Sequence, residues 1–121
     1  MPSTVIEKYQ VAGIDDRERG FNRMVTMHQT ENQYYVNLQY EVIQVRTDPV
    51  ESTAKALTEL VRMLHVKGYR QIRSQLSFRG EEYFGTREPW IEYPDPKSWI
   101  TELSDFFSHL VRPKPPDQNP S

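Results

Sequence analysis

The strongest pattern of apolar and polar positions in the chain is helical. Val50, Ala54, Leu57, Val61 and Leu64 recur at i, i+4, i+7, i+11 and i+14, and Leu60 and Met63 widen the stripe. That is the spacing of one buried helical face. Asp48 is placed to cap the first turn, Pro49 suits the first helical position, and Glu51 sits where a capping box returns its acceptor. Gly68, after Lys67, suits a left-handed C-cap that turns the chain into a strand. The other face carries Glu51, Lys55, Glu59 and Arg62, a solvated set whose i,i+3 and i,i+4 pairs are worth only tenths of a kcal/mol.

Around this helix the period is two. Thr4 to Ala12 predicts a first strand, with Val5, Tyr9 and Val11 in one row that Glu7 interrupts, and Phe21 to Thr30 a second. The charged run between Gly13 and Gly20 and the polar Glu31-Asn32-Gln33 read as turns. Tyr34 to Arg46 alternates most clearly: Tyr34, Val36, Leu38, Tyr40 and Val42 point one way, Tyr35, Asn37, Gln39 and Glu41 the other. Its phase then shifts to Ile43 and Val45, as a bulge or the edge of the helix layer would cause. Beyond the helix, Gln71 to Phe78 predicts a fourth strand, with Ile72, Leu76 and Phe78 opposed to Arg73, Gln75 and Ser77. Arg79-Gly80-Glu81 closes a hairpin to a short fifth strand, Glu82 to Thr86. Asp95-Pro96 repeats the cap-plus-proline signature, and Trp99, Leu103, Phe106 and Leu110 give a second amphipathic helix ending before Pro113.

The predicted order is β-β-β-α-β-β-α. This is an α+β fold, a two-layer sandwich of a mainly antiparallel sheet with two helices on one face. Residues 1–111 form a single domain and 112–121, with four of the nine prolines, a disordered proline-rich tail.

Composition narrows the class without naming a function. With 121 residues, a net charge of −2 and 26% charged residues, the chain is neither a strongly basic nucleic-acid binder nor composed for disorder. It has no cysteine, which removes disulfides, thiolate zinc sites and cysteine nucleophiles and suits a reducing compartment. No signal-peptide pattern opens the chain and no apolar run approaches the ~20 residues of a membrane span, so a cytoplasmic protein without membrane contact is expected.

Motifs that carry chemistry are missing. His28, His65 and His109 fall on separate elements without the spacing of a zinc helix, and none of the five glycines builds a phosphate loop or nucleophile elbow. Asp15-Asp16 and Glu81-Glu82 are adjacent on extended chain, point to opposite sides, and read as loop charge rather than acid/base dyads. No catalytic residue, metal or cofactor is therefore assigned, and the balance leans against an enzyme. The sequence Arg112-Pro113-Lys114-Pro115-Pro116 reads as linker.

Charge distribution says more than net charge. Arg62, Lys67, Arg70, Arg73 and Arg79 have no acidic residue among them, whereas Glu81 to Phe107 holds seven carboxylates against Arg87 and Lys97. Arg73 and Arg79, with Gln75, Tyr35, Asn37 and Gln39, are candidates for a polar sheet face open to a ligand. Arg87, Trp90 and Tyr93 are candidates for a pocket or an interface anchor, residue types enriched at binding hot spots. Together these favour a non-catalytic interaction or regulatory module that self-associates, so a homo-oligomer or a protein partner is expected. A small-molecule-binding protein or enzyme with a pocket near Tyr83 to Tyr93 is the alternative. Single-stranded nucleic acid on the sheet face is the second, with the acidic net charge against it.

Overall fold

The computed structural model describes residues 3–96, which form an antiparallel sheet with one helix packed on one side. The strands are β1 (Thr4–Ile14), β2 (Gly20–Thr30), β3 (Gln33–Tyr40), β4 (Ile43–Arg46), β5 (Arg70–Arg79), β6 (Glu82–Tyr83) and β7 (Ile91–Tyr93), with α1 (Thr53–Val66) between β4 and β5. Their spatial order is β4-β3-β2-β1-β5-β6, and β7 pairs with β5 beyond β6. The second helix and the proline-rich tail expected from the sequence lie outside the described residues.

The helix-covered face holds the core. Tyr9, Val11, Val25, Met27, Val36, Leu38, Val45 and Ile72 of the strands meet Ala56, Leu57, Leu60, Val61 and Leu64 of α1, all buried. At one end Phe21, Tyr40 and Tyr69 cluster with ring centroids 5.3 to 6.3 Å apart, Tyr69 meeting the other two edge to face and Phe21 tilted on Tyr40. Beside them the hairpin between β1 and β2 is closed by Asp15, which has no exposed surface. Its carboxylate accepts the N–H groups of Arg17 and Arg19 at 2.9 Å each, the Arg19 guanidinium at 3.1 Å and the Tyr40 hydroxyl at 2.8 Å. Burial alone would raise its pKa, but these donors and the Arg19 charge outweigh burial and bring it down to about 2. Asp15 is thus a structural cap rather than loop charge.

The described order, β-β-β-β-α-β-β-β, departs from the expected one: the long third strand is split in two, the strand expected over Glu82 to Thr86 is only Glu82–Tyr83, and β7 is not among the expected strands. The helix start and the turn after Tyr40 show the causes. The helix begins at Thr53, with Ser52 as N-cap accepting the Lys55 N–H at 3.1 Å, four residues later than Asp48 predicts. The cause lies in the sheet. Thr47 exchanges hydrogen bonds with Val36, and Val50 with Tyr34 at 2.7 and 2.9 Å, so the chain stays extended beside β3 until Ser52. The other end agrees with expectation: Gly68 takes φ +93°, its N–H reaches His65 O and that of Tyr69 reaches Leu64 O, a Schellman cap. The phase shift after Val42 comes from a two-residue hairpin rather than a bulge. Tyr40 pairs with Ile43, Glu41 takes φ +55°, and Val42 is 97% exposed at the tip.

Candidate functional site

The sheet face turned away from α1 is the candidate site. Strand register sets its composition, since side chains facing each other across paired strands share a face. Tyr83, Phe78, Lys8, Thr26, Asn37 and Arg46 stand in one row across β6, β5, β1, β2, β3 and β4. On one side of that row lie Val5, His28 and Tyr35, and on the other Gln10, Met24, Gln39 and Gln44. Amides, aromatics and cations therefore alternate over a surface that no described helix covers.

Its aromatic groups are pinned by their neighbours. The Tyr35 ring lies between His28 of β2, stacked at 4.7 Å, and the Arg46 guanidinium of β4, also 4.7 Å from its centroid. The Tyr35 hydroxyl meets Ser3 Oγ at 2.9 Å, and His28 Nε2 meets Thr26 Oγ1 at the same distance. Partial burial first, and the Arg46 charge second, lower the His28 pKa and favour the neutral ring. With both ring faces occupied, Tyr35 offers no stacking platform to a nucleobase. Lys8 stands 5.4 Å from the Phe78 ring, and Phe78 packs on Tyr83 at 4.7 Å.

The β5 end of the face is partly roofed. Gln75, buried, donates its side-chain amide to the carbonyls of Glu88 at 2.8 Å and Thr86 at 3.3 Å, which holds the segment from Phe84 to Trp90 over β5. Arg73 reaches out from beneath it to within 5.1 Å of the Trp90 ring, and Glu92 stands directly across from Arg73. Arg87 staples the roof itself, donating to the carbonyls of Phe84 and Tyr83 at 2.9 and 3.1 Å.

Of the six residues singled out from sequence, the structure brings Tyr35, Arg73 and Trp90 to this face and Arg87 to its roof. Arg79 and Tyr93 stand elsewhere. Arg79 points to the helix side, where its Nε donates to Glu7 Oε2 at 3.0 Å, while Glu7 Oε1 accepts the buried Tyr9 hydroxyl at 2.6 Å. Tyr93 also faces the helix side, across from Ile72, with its hydroxyl 2.9 Å from Ser74 Oγ. Lys8, Phe78, Thr26 and Arg46, four of the six members of the central row, carry no site assignment from the sequence. The signal was present for two of them: Lys8 alternates with Tyr9, and Arg46 with Val45.

Along α1 a second concavity of about 440 Å³ runs between Val61, His65 and Val66 of the helix and Tyr93, Pro94 and Pro96. A more polar depression of about 340 Å³ adjoins it, bounded by Gln71, Arg73, Glu92 and Asp95 among others. Among the described residues no group of three or more histidine or acidic side chains is arranged to hold a metal ion, and no helix is long and apolar enough to cross a membrane. Compared with family models, with curated proteins and with solved structures, the chain matches none.

Proposed function

We propose that the chain is a non-catalytic interaction module that pairs with a second copy of itself through the uncovered sheet face. The observation that carries this is the sorting of charge across that face. On the β1 to β4 half, the strand positions include Lys8 and Arg46 and, among the described residues, no carboxylate, whereas the β5 and β7 edge holds Glu92 opposite Arg73, with Glu88 in the segment that roofs it. A twofold axis parallel to the strands lays the β4 edge of one copy over the β7 edge of the other. Arg46 then meets carboxylates twice over, as an isologous contact requires. Met24, 41% exposed, and Val5, 42% exposed, supply apolar contact near the middle.

Size fits a modest contact. Strands about 4.8 Å apart, with roughly 20 Å of usable length, enclose on the order of 500 Å² per copy. The pair buries about 1,000 Å², near the lower bound for a specific interface, so affinity in the micromolar range is expected. A catalytic reading finds less support, since the two carboxylates buried among the described residues are occupied by structural donors: Asp15 by the hairpin and Tyr40, Glu7 by Tyr9 and Arg79.

The test is native mass spectrometry with sedimentation velocity on the full chain up to about 100 μM, where a contact of ~10 μM affinity is largely formed. A dimer weakened by salt is expected. It should be lost in the Lys8→Glu/Arg46→Glu variant and regained as a heterodimer when that variant is mixed with Glu88→Lys/Glu92→Lys. A monomer throughout, or a dimer indifferent to both pairs, overturns the proposal.

The expected two-layer sandwich belongs to the same proposal. With a second helix beside α1, the opposite sheet face stays open for pairing, and the reasons for placing that helix are specific.

A further inference from the structure

We infer that the groove along α1 is the seat of the chain's own segment from Trp99 to Leu110. The groove is apolar and open: Val66, on its wall, is 75% exposed, whereas Ala56, Leu57, Leu60, Val61 and Leu64 of the same helix are buried. An amphipathic stripe from elsewhere accounts for both features.

The path of the chain selects the occupant. β7 is held to β5 by its ladder and by the Tyr93 hydroxyl on Ser74, and Asp95 Oδ1 accepts the Gln71 N–H at 2.8 Å. The same oxygen lies 3.4 Å from His65 Nε2, a buried nitrogen with no hydrogen-bond partner among the described residues. These contacts fix the backbone up to Asp95, and Pro96, the next residue, is itself part of the groove wall. From there Trp99 is three residues away, a reach of at most about 10 Å.

The apolar positions Trp99, Leu103, Phe106 and Leu110 lie at i, i+4, i+7 and i+11, one stripe of a helix. As a helix the segment would be roughly 18 Å long, against roughly 21 Å for the 14 residues of α1, so it spans the groove without overrunning it. So short a tether gives an effective concentration on the order of millimolar or above, which a stripe from another molecule must exceed to compete.

The absence of cysteine makes the test clean, because one introduced cysteine takes one spin label. Lys67→Cys places the label at the end of α1 beside the groove, and Val42→Cys places it on the far hairpin tip. In the full isotopically labelled chain, the Lys67→Cys label is expected to broaden the amide signals of residues 99–110 and the Val42→Cys label to leave them sharp. Adding Val66→Asp, an exposed change that the fold tolerates, is expected to remove the broadening while the remaining spectrum persists. Sharp signals next to the Lys67→Cys label overturn the inference, as does broadening that survives Val66→Asp. Broadening seen only between a spin-labelled chain and a separate isotope-labelled one assigns the groove to a second copy and also overturns it. Dimerisation through the sheet face is read separately, by mass, so either proposal can fail alone.

Discussion

Tyr9→Phe isolates Glu7 of β1, one of two carboxylates buried among the described residues. Glu7 is 9% exposed, and its Oε1 accepts the Tyr9 hydroxyl at 2.6 Å while Oε2 accepts Arg79 Nε at 3.0 Å. Phenylalanine keeps the ring and its packing, so the loss is confined to the donor. A hydrogen bond to a charged group is worth about 1.5–3 kcal/mol net, and removing one partner leaves the carboxylate oxygen desolvated. We therefore expect a loss of about 2 kcal/mol. In urea, with a slope of about 2 kcal/mol per molar, the midpoint falls by about 1 M, and on heating Tm drops by ~8–16 °C. The sign reverses its importance at high pH. Burial first, then the Glu7 hydrogen bond and charge, raise the Tyr9 pKa above the ordinary value near 10. A raised acid contributes stability in full below about pH 10, and that contribution is lost as pH rises, because the unfolded chain releases a proton that the folded chain retains. Phenylalanine has no such proton, so the gap between the two proteins narrows above pH ~10. Equilibrium urea unfolding at pH 7 and at about pH 10.5 measures both effects. A change below ~0.5 kcal/mol at pH 7, or a gap that widens with pH, refutes the buried Tyr9–Glu7 bond.

Other expectations follow from the same contacts. Ser52→Ala should lower stability by about 1 kcal/mol through loss of the cap on Lys55 N–H, whereas Asp48→Ala should change it by less than ~0.5 kcal/mol; thermal unfolding separates the two. Because the Asp15 pKa is depressed to about 2, its contribution is present above pH ~4 and lost as pH falls toward 2. Asp15→Asn should therefore be less stable at neutral pH and show a flatter acid limb in urea midpoints taken between pH ~4 and ~2.

The elements that alternate over several residues were readable from sequence because one face of each is buried. Val36, Leu38 and Tyr40 keep their phase on β3, and Leu57, Leu60, Val61 and Leu64 theirs on α1. The turns were harder. Two of the three two-residue hairpins place a glutamate in the left-handed region, Glu31 at φ +56° and Glu41 at φ +55°, while Gly80 takes φ +61° in the third. The glycine or asparagine that announces such a turn is missing from the first central position of the first two. At Glu41-Val42 a hydrophobic residue at the tip even prolongs the strand pattern. The short β7 has three residues and borrows its partner from β5, so no period within it betrays a strand. The helix start was misplaced because Asp48-Pro49 carries a genuine cap signature whose backbone is claimed by long-range pairing with β3.

The placement of the cations turns on a single extra residue. Strict alternation along β5 from Ile72 puts Phe78 with the core and Arg79 with Arg73. In the structure Tyr9 pairs with Leu76 and the next residue back, Lys8, pairs with Phe78, so Ser77 is a bulge between them. Beyond a bulge every side chain changes face. Phe78 therefore joins Lys8 in the open row, and Arg79 crosses to the helix side, where Glu7 is buried and needs a partner. The residue that seemed to break the first strand's apolar row is thus the reason Arg79 stands where it does. The same displacement leaves Arg73 as the only β5 cation on the open face and Lys8 as the cation nearest its centre. The positive charge on the β1 to β4 half of that face is then set by Lys8 and Arg46, which the register assembles from opposite ends of the chain segment preceding α1, rather than by the arginine run that dominates the charge pattern of the sequence.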